Sequence, residues 1–176
     1  LVEDTLLQTV REARKADSRA QIDYVVGDLT DEKNALAAVS RAVAQFGRLD
    51  YAVNIAGITG KVLTTDVSEL DDFRQVQQVN VESLWLCERE ELKVMLSQDT
   101  MDGCPPSTTM PDLRCRGSIV NLSSAFGLLG SPRGLPYVAS KHAIVGITKS
   151  DALAYAFQGI RVNCVAPGYA LPHNVF

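Results

Sequence analysis

Tyr137-Val138-Ala139-Ser140-Lys141 sets a phenol and an ammonium four residues apart, a separation that puts both on one face of a helix. A phenol titrates near ~10 in water, too high for useful proton exchange at neutrality. A neighbouring cation favours the phenolate and lowers that value, so Tyr137 and Lys141 can form a tuned general acid and base. Taken alone, the pair is a weak signal and reads first as the rim of an ordinary amphipathic helix. Ser123-Ser124 closes an apolar run, with Ser124 thirteen residues before Tyr137. It offers hydroxyls at a strand end, where open α/β sheets bind ligands, or it is simply a turn. Asn54-Ile55-Ala56-Gly57 ends another apolar run. There Gly57 admits close approach of backbone or ligand and Asn54 can tie neighbouring backbone together; a plain strand-end turn is the alternative.

The elements that would carry these groups follow from periodicity. Leu6, Leu7 and Val10 among charges predict a short amphipathic helix over 3–15. Ile22 to Val26 is a β-branched run and predicts a strand ending at Gly27-Asp28. Leu36, Val39, Val43 and Phe46 recur at spacings of 3, 4 and 3, predicting a helix over 31–46 with Gly47 as its cap. Leu49 to Ala56 predicts a second strand. A capping box at Ser68–Asp71 opens a long helix to about Leu96, with Asn80 inside a stretch otherwise written for packing. Pro105, Pro106 and Pro111 make 97–116 an exposed loop. Gly117 to Ser124 is a third strand, Pro136 to about Phe157 a helix apolar nearly all round, and Arg161 to Ala166 a fourth strand closed by Pro167-Gly168. Both faces of that last helix are expected to be buried. Strands alternating with helices, each strand a continuous apolar run, predict α/β with a parallel sheet.

Composition narrows the function. The 176 residues are 46% hydrophobic and 22% charged, with net charge −4 and mean hydropathy +0.02. That excludes a disordered tail, a collagen-like chain and a disulfide miniprotein. No apolar run approaches the ~20 residues that span a bilayer. The mild acidity leaves no footprint for nucleic acid or an anionic membrane. Cys87, Cys104, Cys115 and Cys164 form no C-x-x-C pair, so free thiols in a reducing, cytoplasmic setting are expected rather than a zinc or redox motif. The chain opens at Leu1 without Met and stops at Asn174-Val175-Phe176, which reads as part of a longer protein.

Together these residues resemble the classical branch of the short-chain dehydrogenase/reductase family. The resemblance runs in order through Asp28-Leu29, Asn54-Ile55-Ala56-Gly57, Val79-Asn80, Gly117 to Ser124, Tyr137-Val138-Ala139-Ser140-Lys141, and Arg161-Val162-Asn163 leading to Pro167-Gly168. It covers nearly the whole chain; each motif is modest and their order and spacing are the specific signal. By resemblance, Tyr137 exchanges a proton with the substrate oxygen and Ser124 hydrogen-bonds that oxygen. Lys141 lowers the tyrosine's pKa and holds the nicotinamide ribose. Asn80 kinks its helix and holds a water in the proton relay from Lys141. Asp28 and Leu29 border the adenine, Asn54, Ala56 and Gly57 line the adenosine side, and Pro167 and Gly168 abut the nicotinamide. The resemblance implies NAD or NADP as cofactor, a small alcohol or ketone as substrate, no metal, and a homodimer or homotetramer. The expected fold is α/β: a partial Rossmann-like, doubly wound parallel sheet in three α/β/α layers, with 1–176 as one incomplete NAD(P)-binding domain.

The departures carry expectations of their own. The family's glycine-rich loop, T-G-x-x-x-G-x-G, is absent, as is the residue after strand 2 that selects NAD or NADP. In the strand order 3-2-1-4-5-6 the first two strands here would be strands 3 and 4, so strands 1 and 2 and the C-terminal strand are missing. The 176 residues alone are expected to bind dinucleotide poorly. Ile55 replaces a second Asn, Tyr169-Ala170-Leu171-Pro172 lacks a Thr, and 97–116 reads as an insertion. A non-catalytic dinucleotide sensor or scaffold, or an inactive truncated piece, is the alternative. The missing loop favours it; the presence of Asn80, Ser124, Tyr137 and Lys141 opposes it. A hydrolase built on Ser124 with His142 or His173 is disfavoured, because there is no G-x-S-x-G elbow.

Overall fold

In the computed structural model, residues 2–101 and 115–168 are described. Most of the expected insertion, Cys104, the 169–172 stretch and His173 lie outside them.

Helix α1 (Val2–Ala16) carries Glu3 and Asp4 in its first turn and Arg14 and Lys15 in its last, matching charge to the helix dipole. Helix α2 (Glu32–Phe46) starts at Asp31, whose carboxylate accepts the Lys33 N–H at 2.9 Å. It stops at Gly47, which takes a left-handed φ of 85° while its N–H bonds Val43 O. The remaining elements are β1 (Tyr51–Asn54), α3 (Leu70–Gln77), α4 (Ser83–Ser97), β2 (Gly117–Leu122), α5 (Leu135–Tyr155) and β3 (Ile160–Val165).

The strands form a parallel sheet in the order β1-β2-β3, with Ala52 beside Ile119 and Ile119 beside Val162. Because the pairing is parallel, the strands' carboxyl ends emerge together. Ala52, Ile119, Ile160 and Val162 bury themselves against Leu92 and Met95 of α4, with Ala152 and Tyr155 of α5 packed alongside. A second cluster joins Ala35 of α2 to Leu86 and Cys87 of α4 and to Leu29. On the sheet's other face, Tyr51 and Val53 of β1 are 68% and 59% exposed among the described residues, whereas Ser118 beside Tyr51 is buried.

Four expectations are corrected. The 22–26 run forms no ladder among the described residues. In the doubly wound order it and β1 are separated by two strand places, so neither can pair with the other. The capping box is absent: Ser68 instead donates to Thr64 O at 2.9 Å, and Glu69 occupies the cap position. The single long helix is broken by a π-turn, Gln78–Glu82, between α3 and α4. Helix α5 buries only one face; Leu153, beyond that face, is 80% exposed. The loop base is pinned where it is described, with Met101 N–H donating to Cys115 O at 2.7 Å. Among the described residues no helix is long and apolar enough to cross a membrane.

Candidate active site

The site assembles at the carboxyl ends of the strands, the place open α/β sheets reserve for ligands. Beyond Leu122, Ser123 N–H donates to Val165 O and Ala125 N–H to Pro167 O, both at 2.8 Å. These bonds carry the β2–β3 pairing past its last rung and bring Pro167 against the Ser124 turn. Gly168 follows, exposed, and a Cβ added there would meet nothing within 4 Å among the described residues.

The adjacent serines divide their work. Ser123 is buried, and its hydroxyl donates to Lys141 O at 2.8 Å. Gly127 makes that approach possible: a Cβ there would lie 2.6 Å from the same carbonyl. Ser124 is half-buried, and its oxygen accepts the Phe126 N–H at 3.2 Å at the start of the Ala125–Gly127 turn. A hydroxyl so placed keeps its own proton for a further acceptor.

Tyr137 and Lys141 sit in the first two turns of α5, opened by Leu135 and Pro136. Lys141 is buried, with Nζ 5.6 Å from the Tyr137 ring centroid and donating to Leu122 O at 2.7 Å. Burial pulls its ammonium below the ordinary lysine value, so the proton is held less tightly there. An ammonium has three donors, and Leu122 takes one; the others meet no acceptor among the described residues.

Asn80 is fully buried in the π-turn. Its side chain pairs with Ile58 as a backbone would: Oδ1 accepts the Ile58 N–H at 2.7 Å and Nδ2 donates to Ile58 O at 2.8 Å. Nδ2 also donates to Ser140 Oγ at 2.9 Å, and the Ser140 hydroxyl donates to Tyr137 O at 2.7 Å. A Cβ on Gly57 would stand 3.1 Å from Asn80 Oδ1, so the glycine makes room for the asparagine. Gln77 adds a bond from Nε2 to Pro136 O at 2.8 Å. π-turns recur at functional sites, and this one aims Asn80 at both the β1 loop and α5.

Leu29, Asn54 and Ala56 meet in a cleft of about 260 Å³, which Val53, Leu84 and Cys87 help to line. Asn54 turns its amide into the helical layer, donating to Asn121 Oδ1 and Glu91 Oε2 at 3.1 Å each. Asp28 is exposed and serves its own turn, accepting from Thr30 N at 3.0 Å and Thr30 Oγ1 at 2.8 Å. Those bonds hold its carboxyl below the usual range. The structure thus brings Asn80, Tyr137, Lys141 and the Ser124 turn together, with Gly57 and Pro167 against them. Leu29, Asn54 and Ala56 form a separate cleft, and Asp28 lies outside it. Sequence reasoning missed Ser123, Ser140 and Gln77 as supports. A small hydroxyl between Tyr137 and Lys141 on an otherwise apolar helix was the available sign of Ser140.

Comparison with known proteins is consistent with this arrangement. The short chain dehydrogenase family model matches residues 2–174. A protein of Streptomyces virginiae named A-factor type gamma-butyrolactone 1'-reductase (1S-forming) is 39% identical over 170 residues, 94% of this chain and 58% of that protein. The crystal structure of NAD+-bound xylitol dehydrogenase superposes with a TM-score of 0.72 at 31% identity, covering 84% of this chain and 51% of that one. ElxO with NADP bound superposes with a TM-score of 0.74 at 31% identity, covering 92% and 59%. The chain therefore spans little more than half the length of the relatives it matches. With its parallel sheet and its tyrosine, lysine and serine at one end of that sheet, this chain belongs to the short chain dehydrogenase family.

Proposed function

We propose that the whole protein is an NAD(P)-dependent oxidoreductase that interconverts an alcohol and a carbonyl, and that 1–176 form a single, incomplete NAD(P)-binding domain within it. The observation that carries this reading is Lys141: buried, beside the Tyr137 ring, with donors left over. Those donors suit the vicinal hydroxyls of a ribose. The open cleft at Leu29, Asn54 and Ala56 suits the adenosine end, and Pro167 and Gly168 suit the nicotinamide end. When bound, the dinucleotide supplies or takes up the hydride.

The chain's own groups handle the oxygen and its proton. Ser124 donates to the substrate oxygen and holds it near Tyr137. Tyr137 gives its phenolic proton to that oxygen during reduction and takes it back during oxidation. The Lys141 ammonium favours the phenolate left behind. Asn80 orders the far side of Lys141 through Ile58 and Ser140. Relatives with NAD+ and with NADP both occur, so either nucleotide fits the reading.

The reading extends to a homodimer or homotetramer assembled through α4 and α5. Trp85 at 45% and Phe157 at 72% exposure support it, as does a groove of about 510 Å³ between α3, α4 and α5. Sedimentation of the whole protein as a monomer would remove this part. A cytoplasmic setting is the matching compartment, supported by the free thiols of Cys87, Cys115 and Cys164.

The test is turnover. The whole protein is mixed with NADH or NADPH and a panel of ketones, and with the oxidised dinucleotides and matching alcohols. Dinucleotide consumption matched by product is expected for at least one pair. Tight dinucleotide binding with no turnover of any pair would move the protein to the sensor reading.

A further inference from the structure

Beneath the sheet, α4 directs two acids inward. Glu88 and Glu91 are three residues apart and share a face of the helix, and both are buried. Glu88 is fully enclosed: Oε2 accepts from Asn121 Nδ2 at 3.0 Å, and Oε1 meets no donor among the described residues. Asn121 also donates to Thr148 Oγ1 of α5 at 3.1 Å and accepts from Asn54 of β1 at 3.1 Å. One amide thus joins α4, α5, β1 and β2. Two and three residues beyond Asn121 stand Ser123 and Ser124; seven residues before Thr148 stands Lys141.

A carboxylate offers about four acceptor positions, and Glu88 fills one. Among the described residues the charged groups acting on it are both acids, Glu91 from α4 and Asp151 from α5. The strands add only the neutral amides of Asn54 and Asn121. On the flank towards α2, Arg89 is bound to Glu32 and Glu90. Among the described residues no basic side chain forms an ion pair with Glu88, Glu91 or Asp151.

We propose that Glu88 is a positioning residue that works as a neutral carboxylic acid, and that losing its proton sets an unpaired buried charge against the Asn121–Thr148 junction of β2 and α5 and loosens it. The catalytic part of this inference rests on the assignment of Ser124, Tyr137 and Lys141 to one site. A charged carboxylate with one donor and two acidic neighbours is far costlier to bury than the acid. Burial, reinforced by Asp151 and Glu91 and opposed by the Asn121 bond, pushes Glu88 up to about 7. Burial likewise takes Glu91 to about 7 against the bond from Asn54. Such a group binds its proton more tightly folded than unfolded. Its contribution to stability is full below the ordinary glutamate value near ~4.3 and is lost as pH rises through about 7.

The experiment compares the whole protein with its Glu88→Gln variant, whose amide keeps the shape and cannot ionise. Thermal midpoints are measured between pH 5 and 8, and kcat between pH 6 and 8. Relative to the variant, the wild type is expected to lose about 5 °C or more on going from pH 5 to 8. Its kcat relative to the variant is expected to fall over the same rise, a change that a merely structural Glu88 would not give. A difference in midpoint that stays constant with pH overturns the proposal, as does a kcat ratio flat in pH. If Glu88→Gln does not fold, carbon-13 NMR of glutamate carboxyls in the wild type decides. The assigned Glu88 carboxyl titrating near 7 supports the proposal, and its titrating below about 5 overturns it, whatever Glu91 does. The midpoint and NMR readouts need no turnover, so they separate failure of this proposal from failure of the oxidoreductase reading.

Discussion

The stretch from Gln77 to Pro167 and the stretch from α1 to Arg41 are held together by different means. In the first, buried polar groups bond across long separations in the chain: Ser123 to Lys141, Asn80 to Ser140, Asn121 to Thr148. In the second, the links are exposed: Asp17 with Arg19, Asp23 with Arg41, Tyr24 with Glu3. Val25 and Val26 there remain exposed as well. Exposed ion pairs contribute little each, whereas a satisfied buried network fixes one arrangement. The contrast teaches that the groups assigned to proton handling are set by buried bonds among β2, β3, α5, the π-turn and the loop after β1. The side assigned to the adenosine has apolar residues still in the open.

The largest expected effect breaks the first region. Lys141→Met in the whole protein should cost about 10³-fold in kcat, since it removes the cation beside Tyr137 while keeping much of the side-chain volume. Steady-state rates check it. Gly127→Ala should lower stability by about 2–3 kcal/mol in a urea titration, because its Cβ would lie 2.6 Å from the Lys141 carbonyl. The two serines sharpen the contrast within the site. Ser123→Ala should cost ~1–2 kcal/mol of stability through the lost bond to Lys141 O. Ser124→Ala should leave stability within ~0.5 kcal/mol and reduce turnover instead. Equal effects from the two would dissolve the division of labour between them. The smallest effect belongs to the second region. Asp23→Asn breaks the exposed pair with Arg41 and should move the thermal midpoint by no more than ~1 °C.

The sequence made the candidate constellation legible because its spacing is local. Tyr137 and Lys141 share a helix, Ser124 ends a strand, and both elements announce themselves by apolar period. Element ends were less readable. Ser68 looked like half of a capping box, yet its hydroxyl found Thr64 one turn earlier. The 22–26 run has strand-forming residues, but a strand exists only through a neighbour, and no residue pattern supplies one. The π-turn depends on Asn80 reaching Ile58, 22 residues away along the chain, which periodicity cannot show. Glu88-Arg89-Glu90-Glu91 reads as a solvated charge run. Only the packed helix shows that three of the four are buried, Glu90 against Arg89 and Lys93 and Glu88 and Glu91 against the sheet's asparagines, while Arg89 lies over the Trp85 ring at 5.1 Å.

The central claim is that Tyr137 exchanges the proton at the substrate oxygen, supported by groups that do not depend on it. Tyr137→Phe removes one hydroxyl and keeps the ring beside Lys141. Carbonyl reduction and dinucleotide affinity are to be measured together on the whole protein and this variant. The account predicts a loss of at least ~10²-fold in kcat with dinucleotide affinity within about twofold of wild type. Turnover unchanged by the substitution would contradict it.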